Sequence, residues 1–196
     1  MPRIVALSGS LSRPSRTRAL VSAIAARLAD GQPARVDLID IAELAPSLAG
    51  ITGFDNIHPA VREAQDLLAQ ADVIVLGSPV YKGSYSGLFK HFIDLLDPTR
   101  LSGKVAVLAA TGGSDRHALV LEHQWRPLAI FLELHTVPAG VYVRDSEFEN
   151  YQLAADRIAS QARIDLAAAQ ARALLGWPAL PAAEIQAPAA LTALAA

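Results

Sequence analysis

The chain has 196 residues, 52% of them apolar, and a formal net charge of -2, which suits one domain with a substantial core and argues against a nucleic-acid-binding face. It contains no cysteine, which excludes disulfides, thiolate metal sites and a cysteine nucleophile. No apolar run reaches membrane-spanning length, and the N-terminal "IVAL" is too short for a signal peptide. Residues 3–7, "RIVAL", read as a buried strand between Pro2 and Gly9. A helix is expected from Ser15 to Asp30, with Leu20, Ile24 and Leu28 on one face and Gly31 closing it. "ARVDLIDI" (34–41) alternates as a strand nearer a sheet edge does. A polar-apolar connection (42–58) leads to a helix over Pro59–Gln70. "DVIVLGSP" (72–79) is the strongest central strand, β-branched and bounded by Gly77 and Pro79.

The second half repeats the alternation. A helix is expected over 84–97, a buried strand over "KVAVLAATGG" (104–113), and a helix with interior Pro127 over 114–134. A final strand, 135–143, is broken by Pro138 and Gly140, and a long Ala-rich helix follows over 149–175. Continuous apolar strands alternating with helices mean a parallel sheet covered on both faces. Five strands favour a flavodoxin-like three-layer sandwich of strand order 2-1-3-4-5, occupying residues 1–176. Residues 177–196 form an Ala/Pro-rich tail, read as loose or lying on a partner subunit.

In such a sheet, ligands sit beyond the carboxyl ends of the strands, where the strand order reverses. Three loops meet there, at 8–17, 77–84 and 110–117, and these are where the sequence turns to Gly, Ser, Thr and Pro. The first, "SGSLSRPSRT", places Ser10, Ser12, Ser15 and Thr17 hydroxyls, with Arg13 and Arg16, around a helix N-terminus. That set suits a phosphate monoester. It also admits the plainer reading of a Ser15 N-cap with solvated neighbours. It is neither a P-loop nor G-x-G-x-x-G. The second loop, "GSPVYKGSYSG", offers Pro79 for backbone shape, Gly83 for close approach, and Tyr81 and Tyr85 for aromatic surface, with Ser84 as the cap of the next helix. Lys82 reads equally as a solvated charge or a cofactor contact. The third loop, "ATGGSDRHA", supplies Thr111, Gly112, Gly113 and a capping Ser114, with His117 beside it. Turn chemistry alone explains either glycine-rich loop. One phosphate seat and two loops suited to a flat ring, meeting at one point, match FMN.

"GSLSRPSRT", "SPVYKGSYSGLFKHFIDLLDP" and "LSGKVAVLAATGGSDRHALVLEH" closely resemble the NAD(P)H-dependent FMN reductases that serve two-component flavin monooxygenases, nearest to those of alkanesulfonate and methanesulfonate systems. The resemblance runs over residues 3–143 in order and spacing. It implies that Ser10, Ser15, Arg16 and Thr17 hold the phosphate, and that Pro79, Val80, Tyr81, Lys82, Gly83 and Ser84, with Thr111 to Ser114, border the flavin. Where the wider family often has Arg, this chain has Ser12 followed by Arg13, so the choice of phosphate arginine between Arg13 and Arg16 stays open. The resemblance also implies NAD(P)H as hydride donor, a partner flavin-dependent monooxygenase and a homodimer or homotetramer, and the absence of cysteine fits a cytoplasmic enzyme.

Pro127 removes one helical hydrogen bond, leaving the carbonyl of His123 without its partner. That predicts an irregular turn, either a plain proline kink or a π-bulge. Relatives of the sulfonate type are similar here, some carrying an inserted residue in a π-helix at the subunit interface, a place His123 matches. No His, Asp or Glu spacing reads as a metal site. Hydride transfer between two cofactors requires no protein acid or base, so no catalytic residue is nominated. Two other readings use the same loops: an FMN-retaining quinone, azo or chromate reductase, and a flavodoxin-type electron carrier, which usually has a more acidic surface.

Overall fold

A computed structural model describes residues 1–180, so the tail expected over 177–196 lies, past Leu180, outside the described residues. Four parallel strands build the sheet: β1 (Arg3–Ser8), β2 (Arg35–Asp40), β3 (Val73–Pro79) and β4 (Val105–Gly112), in the order β2-β1-β3-β4. The fifth position beside β4 is filled in two pieces, β5 (His135–Thr136) and β6 (Val141–Arg144). His135 faces Val105, whereas Val141 faces Ala109, so two extra residues are looped out between the pieces. Pro138 brings no N–H to a ladder there. The guanidinium of Arg126 donates instead to the carbonyls of Val137 (3.1 Å) and Pro138 (2.6 Å). The flavodoxin-like order read from the sequence is therefore the observed one, with its last strand interrupted where Pro138 and Gly140 stand.

Both faces of the sheet are dry. Val5, Leu7, Ile74, Leu76 and Leu108 pack with α2 (Ile41–Leu48), α3 (Pro59–Ala69), α4 (Gly87–Asp94) and α5 (Arg126–Phe131). Ile4, Ala6, Val73, Val75 and Val107 pack on the other side with α1 (Arg16–Ala29) and α6 (Ile158–Leu174). Each fully buried aliphatic side chain of this kind contributes roughly 1.5–3 kcal/mol. Helix α1 lies close to β3: a Cβ on Gly77 would come within 2.2 Å of Val21 Cγ1, so only glycine fits there.

Four local expectations are corrected. Ile41, expected to end a strand, and residues 42–48, expected in a connection, form α2 in spite of Pro46, because Asp40 caps its start (3.1 Å from Ala42 N) and Ile41 and Leu48 are buried. The helix expected over 84–97 shortens to α4, and its cap is Ser86, not Ser84. The Ser86 hydroxyl also donates to Gly9 O at 2.6 Å. The helix expected over 114–134 breaks into a 3-10 turn (Asp115–His117), a π-helical turn (Leu121–Trp125) and α5. The π turn falls just before Pro127, with Arg126 N bonding Leu121 O, and His123 sits in its middle. The helix expected from 149 begins only at Ile158. A hairpin precedes it, β7 (Phe148–Glu149) paired with β8 (Gln152–Leu153). The first tail residues pack on the body: the buried Arg172 donates to Pro178 O (2.6 Å) and to Leu28 O (3.0 Å).

Candidate functional site

The carboxyl ends of β1, β3 and β4 meet where the strand order reverses, and the loops there are tied together. Gly9 N donates to Gly77 O (2.6 Å), Val80 N donates to Thr111 O (2.8 Å), and the hydroxyls of Thr17 and Thr111 share a buried hydrogen bond of 2.7 Å. A cavity of about 230 Å³ opens at this junction. Ser10, Ser12, Arg13, Ser15, Arg16 and Thr17 line it from the first loop and the start of α1. Pro79, Tyr81 and Thr111 line it from the other two loops.

Within the first loop, Ser15 caps α1, accepting from Arg18 N at 3.1 Å, and Ser10 Oγ accepts from Ser12 N at 3.2 Å. Both hydroxyls keep a proton to donate. The two arginines diverge. Arg13, at the exposed rim of the cavity, pairs with Glu43 at 2.8 Å, both side chains more than half exposed. The Arg16 guanidinium lies over the ring of Tyr151, 4.9 Å from its centroid, and its Nε is buried without a hydrogen-bond partner. A desolvated cationic donor without an acceptor is costly unless an anion completes it. A helix N-terminus, free hydroxyl protons and this guanidinium together fit a phosphate monoester.

The ring-bordering residues are arranged differently from the sequence expectation. Tyr81 and Ser84 exchange two backbone hydrogen bonds (2.8 and 3.1 Å), so Lys82 and Gly83, both at positive φ, form an exposed turn tip outside the cavity. Ser84 Oγ donates to Gln124 Oε1 at 3.0 Å rather than capping a helix. Tyr85 does not line the cavity; its ring packs on Phe89 and edge-on against the buried Trp125, both at 5.6 Å. Val80, half-buried, packs against the core. Ser114 caps the 3-10 turn, accepting from Arg116 N at 3.3 Å, and His117 lies within that turn, outside the cavity. Gly112 has no room for a side chain, because a Cβ there would stand 2.6 Å from Tyr142 Oη. That hydroxyl donates to Ser114 O at 2.6 Å and braces the third loop from below. Burial pushes the Tyr142 hydroxyl above its ordinary pKa, with the charges of Asp145 and Asp115 adding to the push, so it stays a donor.

Sequence reading missed Pro14, Asp145 and Tyr151, which also line the cavity. The signal available was the stretch "DSEFENY", which carries no helical periodicity although the Ala-rich run beyond it does. A larger, open depression of about 710 Å³ lies beyond Tyr151, along the outer side of α1 over Ala19, Ser22 and Ala23. It adjoins the smaller cavity, sharing Arg13, Pro14, Ser15 and Tyr151 with it and reaching Asp40 at the end of β2, but only the smaller cavity is also lined by Pro79, Tyr81 and Thr111 of the other two loops.

These features define a flavodoxin-like protein with a cluster of loop hydroxyls and an unpartnered arginine donor at its switch point. Residues 2–149 match the family described as NADPH-dependent FMN reductase, and the chain belongs to that family. It is 41% identical to the NADH-dependent FMN reductase SfnF of Pseudomonas fluorescens, over 89% of this chain and 92% of that one. It is 43% identical to the FMN reductase (NADPH) of Pseudomonas aeruginosa, over the same shares of the two chains. Among solved structures it resembles an oxidoreductase from Corynebacterium diphtheriae, with a TM-score of 0.81 at 32% identity, covering 90% of this chain and 97% of that one.

Proposed function

We propose that this chain is an NAD(P)H-dependent FMN reductase that releases reduced FMN to a separate flavin-dependent monooxygenase of the sulfonate type. The observation that carries the reading is the convergence of Arg16, with its unpartnered Nε, and the loop hydroxyls at the switch point of a flavodoxin-like sheet. FMN, when bound, supplies the group that accepts a hydride from the nicotinamide and carries it onward. The chain's own part is to bind and orient. Ser10, Ser15 and Arg16 would hold the phosphate, Thr17 and Thr111 join the first and third loops, and Tyr81 and the backbone from Thr111 to Ser114 would border the ring. A cavity of about 230 Å³ is small beside the roughly 300–1,000 Å³ that encloses a drug-sized ligand. The flat ring would therefore lie across an open rim, where nicotinamide can reach it and from which FMN can leave.

The enzyme acts in the cytoplasm, where reduced nicotinamide is at hand, and as a homodimer or homotetramer. Support for self-association comes from Leu119, Ile130 and Phe131, which are 62%, 69% and 74% exposed around the π turn and α5. The deciding experiment follows NADH and NADPH oxidation against added FMN. Saturable dependence on free FMN is the expected result. Turnover with quinone by tightly bound FMN, but none with free FMN, would make the protein an FMN-retaining reductase. Oxidation of neither nicotinamide would overturn the assignment.

A further inference from the structure

The turn that carries Tyr151 is built against local preference. Asn150 and Tyr151 are the two central residues of the β7–β8 hairpin, and both have positive φ, 47° and 63°. A two-residue turn of this hand favours Asn followed by Gly. Asn150 suits its place, but Tyr151 holds the position where glycine is preferred and a Cβ is disfavoured. An aromatic residue in such a conformation is a reason to ask what its ring does.

The ring lies against Arg16, and both side chains line the cavity at the strand ends. The partner chosen matters. A carboxylate would orient the guanidinium but consume its N–H groups and neutralise its charge, as Glu43 does for Arg13. An aromatic face orients the guanidinium through its π surface and leaves the in-plane donors available to an anion. The hairpin itself is fixed from behind. Glu147 accepts from Arg144 N (3.0 Å) and Ser160 Oγ (2.6 Å), and its own carbonyl accepts from Ala154 N (3.0 Å).

We propose that Tyr151 is a positioning residue that holds Arg16 in the phosphate seat and so sets how tightly the phosphate end of FMN is gripped. This rests on the FMN reading above. Glycine in its place would relieve the turn but free Arg16.

The test compares Tyr151→Gly and Tyr151→Phe with the unaltered protein. Dissociation constants for FMN and for riboflavin, which lacks the phosphate, are measured by quenching of flavin fluorescence, and melting temperatures are recorded alongside. The unaltered protein should prefer FMN to riboflavin by about tenfold or more, as charge-assisted contacts to a phosphate imply. Tyr151→Phe, which keeps the ring, should retain that preference. Tyr151→Gly should lose about twofold to fivefold in FMN affinity, the scale of a partly exposed cation–π contact, with riboflavin affinity unchanged. Its melting temperature should hold or rise, since glycine suits the turn. A Tyr151→Gly variant that keeps the full preference, or that loses FMN and riboflavin equally, overturns the proposal alone. An unaltered protein with no preference for FMN overturns the phosphate-seat reading as well.

Discussion

Arg13 and Arg16 stand three residues apart at the start of α1, and the fold sends them to different partners. Arg13 is tied to a surface carboxylate, an exposed pair of a kind worth about 1 kcal/mol at most. Arg16 is turned inward, stacked on Tyr151, with a buried donor still to be satisfied. This geometry supports the proposal that Arg16, rather than Arg13, meets the phosphate. Arg16→Ala should weaken FMN binding by about thirtyfold, corresponding to the loss of roughly 2 kcal/mol from a charged hydrogen bond, while riboflavin binding changes little. Arg13→Ala should change FMN affinity less than about threefold. Titration of both variants with both flavins checks this, and equal losses in the two would refute the assignment. The sequence offered no means of choosing, because Glu43 and Tyr151 lie 30 and 135 residues from their arginines.

Among the elements, the β7–β8 hairpin matters most for the site and was the least visible beforehand. Its anchor is Glu147. Burial alone would raise the Glu147 carboxyl, but hydrogen bonds from Ser160 and from the backbone and side chain of Arg144 outweigh it and hold the pKa below the ordinary 4.5. A carboxyl depressed in the folded state contributes stability above its unfolded value and loses it as pH falls through the folded one. The melting temperature should therefore drop as pH falls below about 4.5, more steeply than in Glu147→Gln, which should start from a lower value at neutral pH. Parallel curves for the two proteins would exclude Glu147 as the source. The π turn is the other element of note. Pro127 and its lost partner pointed to an irregularity near His123, and the structure has five π-helical residues there, with Trp125 buried against Phe89 at 4.9 Å.

For the whole molecule, the question is what covers the apolar side chains around that π turn. The described residues bury a continuous core on both sheet faces yet leave Leu119, Ile130 and Phe131 in solvent. Exposed large apolar side chains of this kind suit an interface. The 20.7 kDa chain should sediment as a dimer or tetramer, and the double variant Ile130→Asp, Phe131→Asp should sediment as a monomer. A monomeric unaltered protein would refute the interface.

Most of the architecture is local information. Apolar runs such as "DVIVLGSP", helix periodicity after Ser15, and glycine-rich punctuation at the strand ends report the backbone's own preferences, so the order of elements, the sheet topology and the three site loops are legible in the chain. Short or interrupted elements are less so. α2 contains a proline, and the hairpin places a tyrosine where a glycine is favoured; tertiary burial and a distant cation outweigh those preferences. Side-chain destinations needed the fold itself. Tyr85 turned to the core, Lys82 to solvent, and Arg16 to a tyrosine at the far end of the sequence. Such pairings depend on which surfaces the closed sheet brings together, and no neighbour along the chain encodes them.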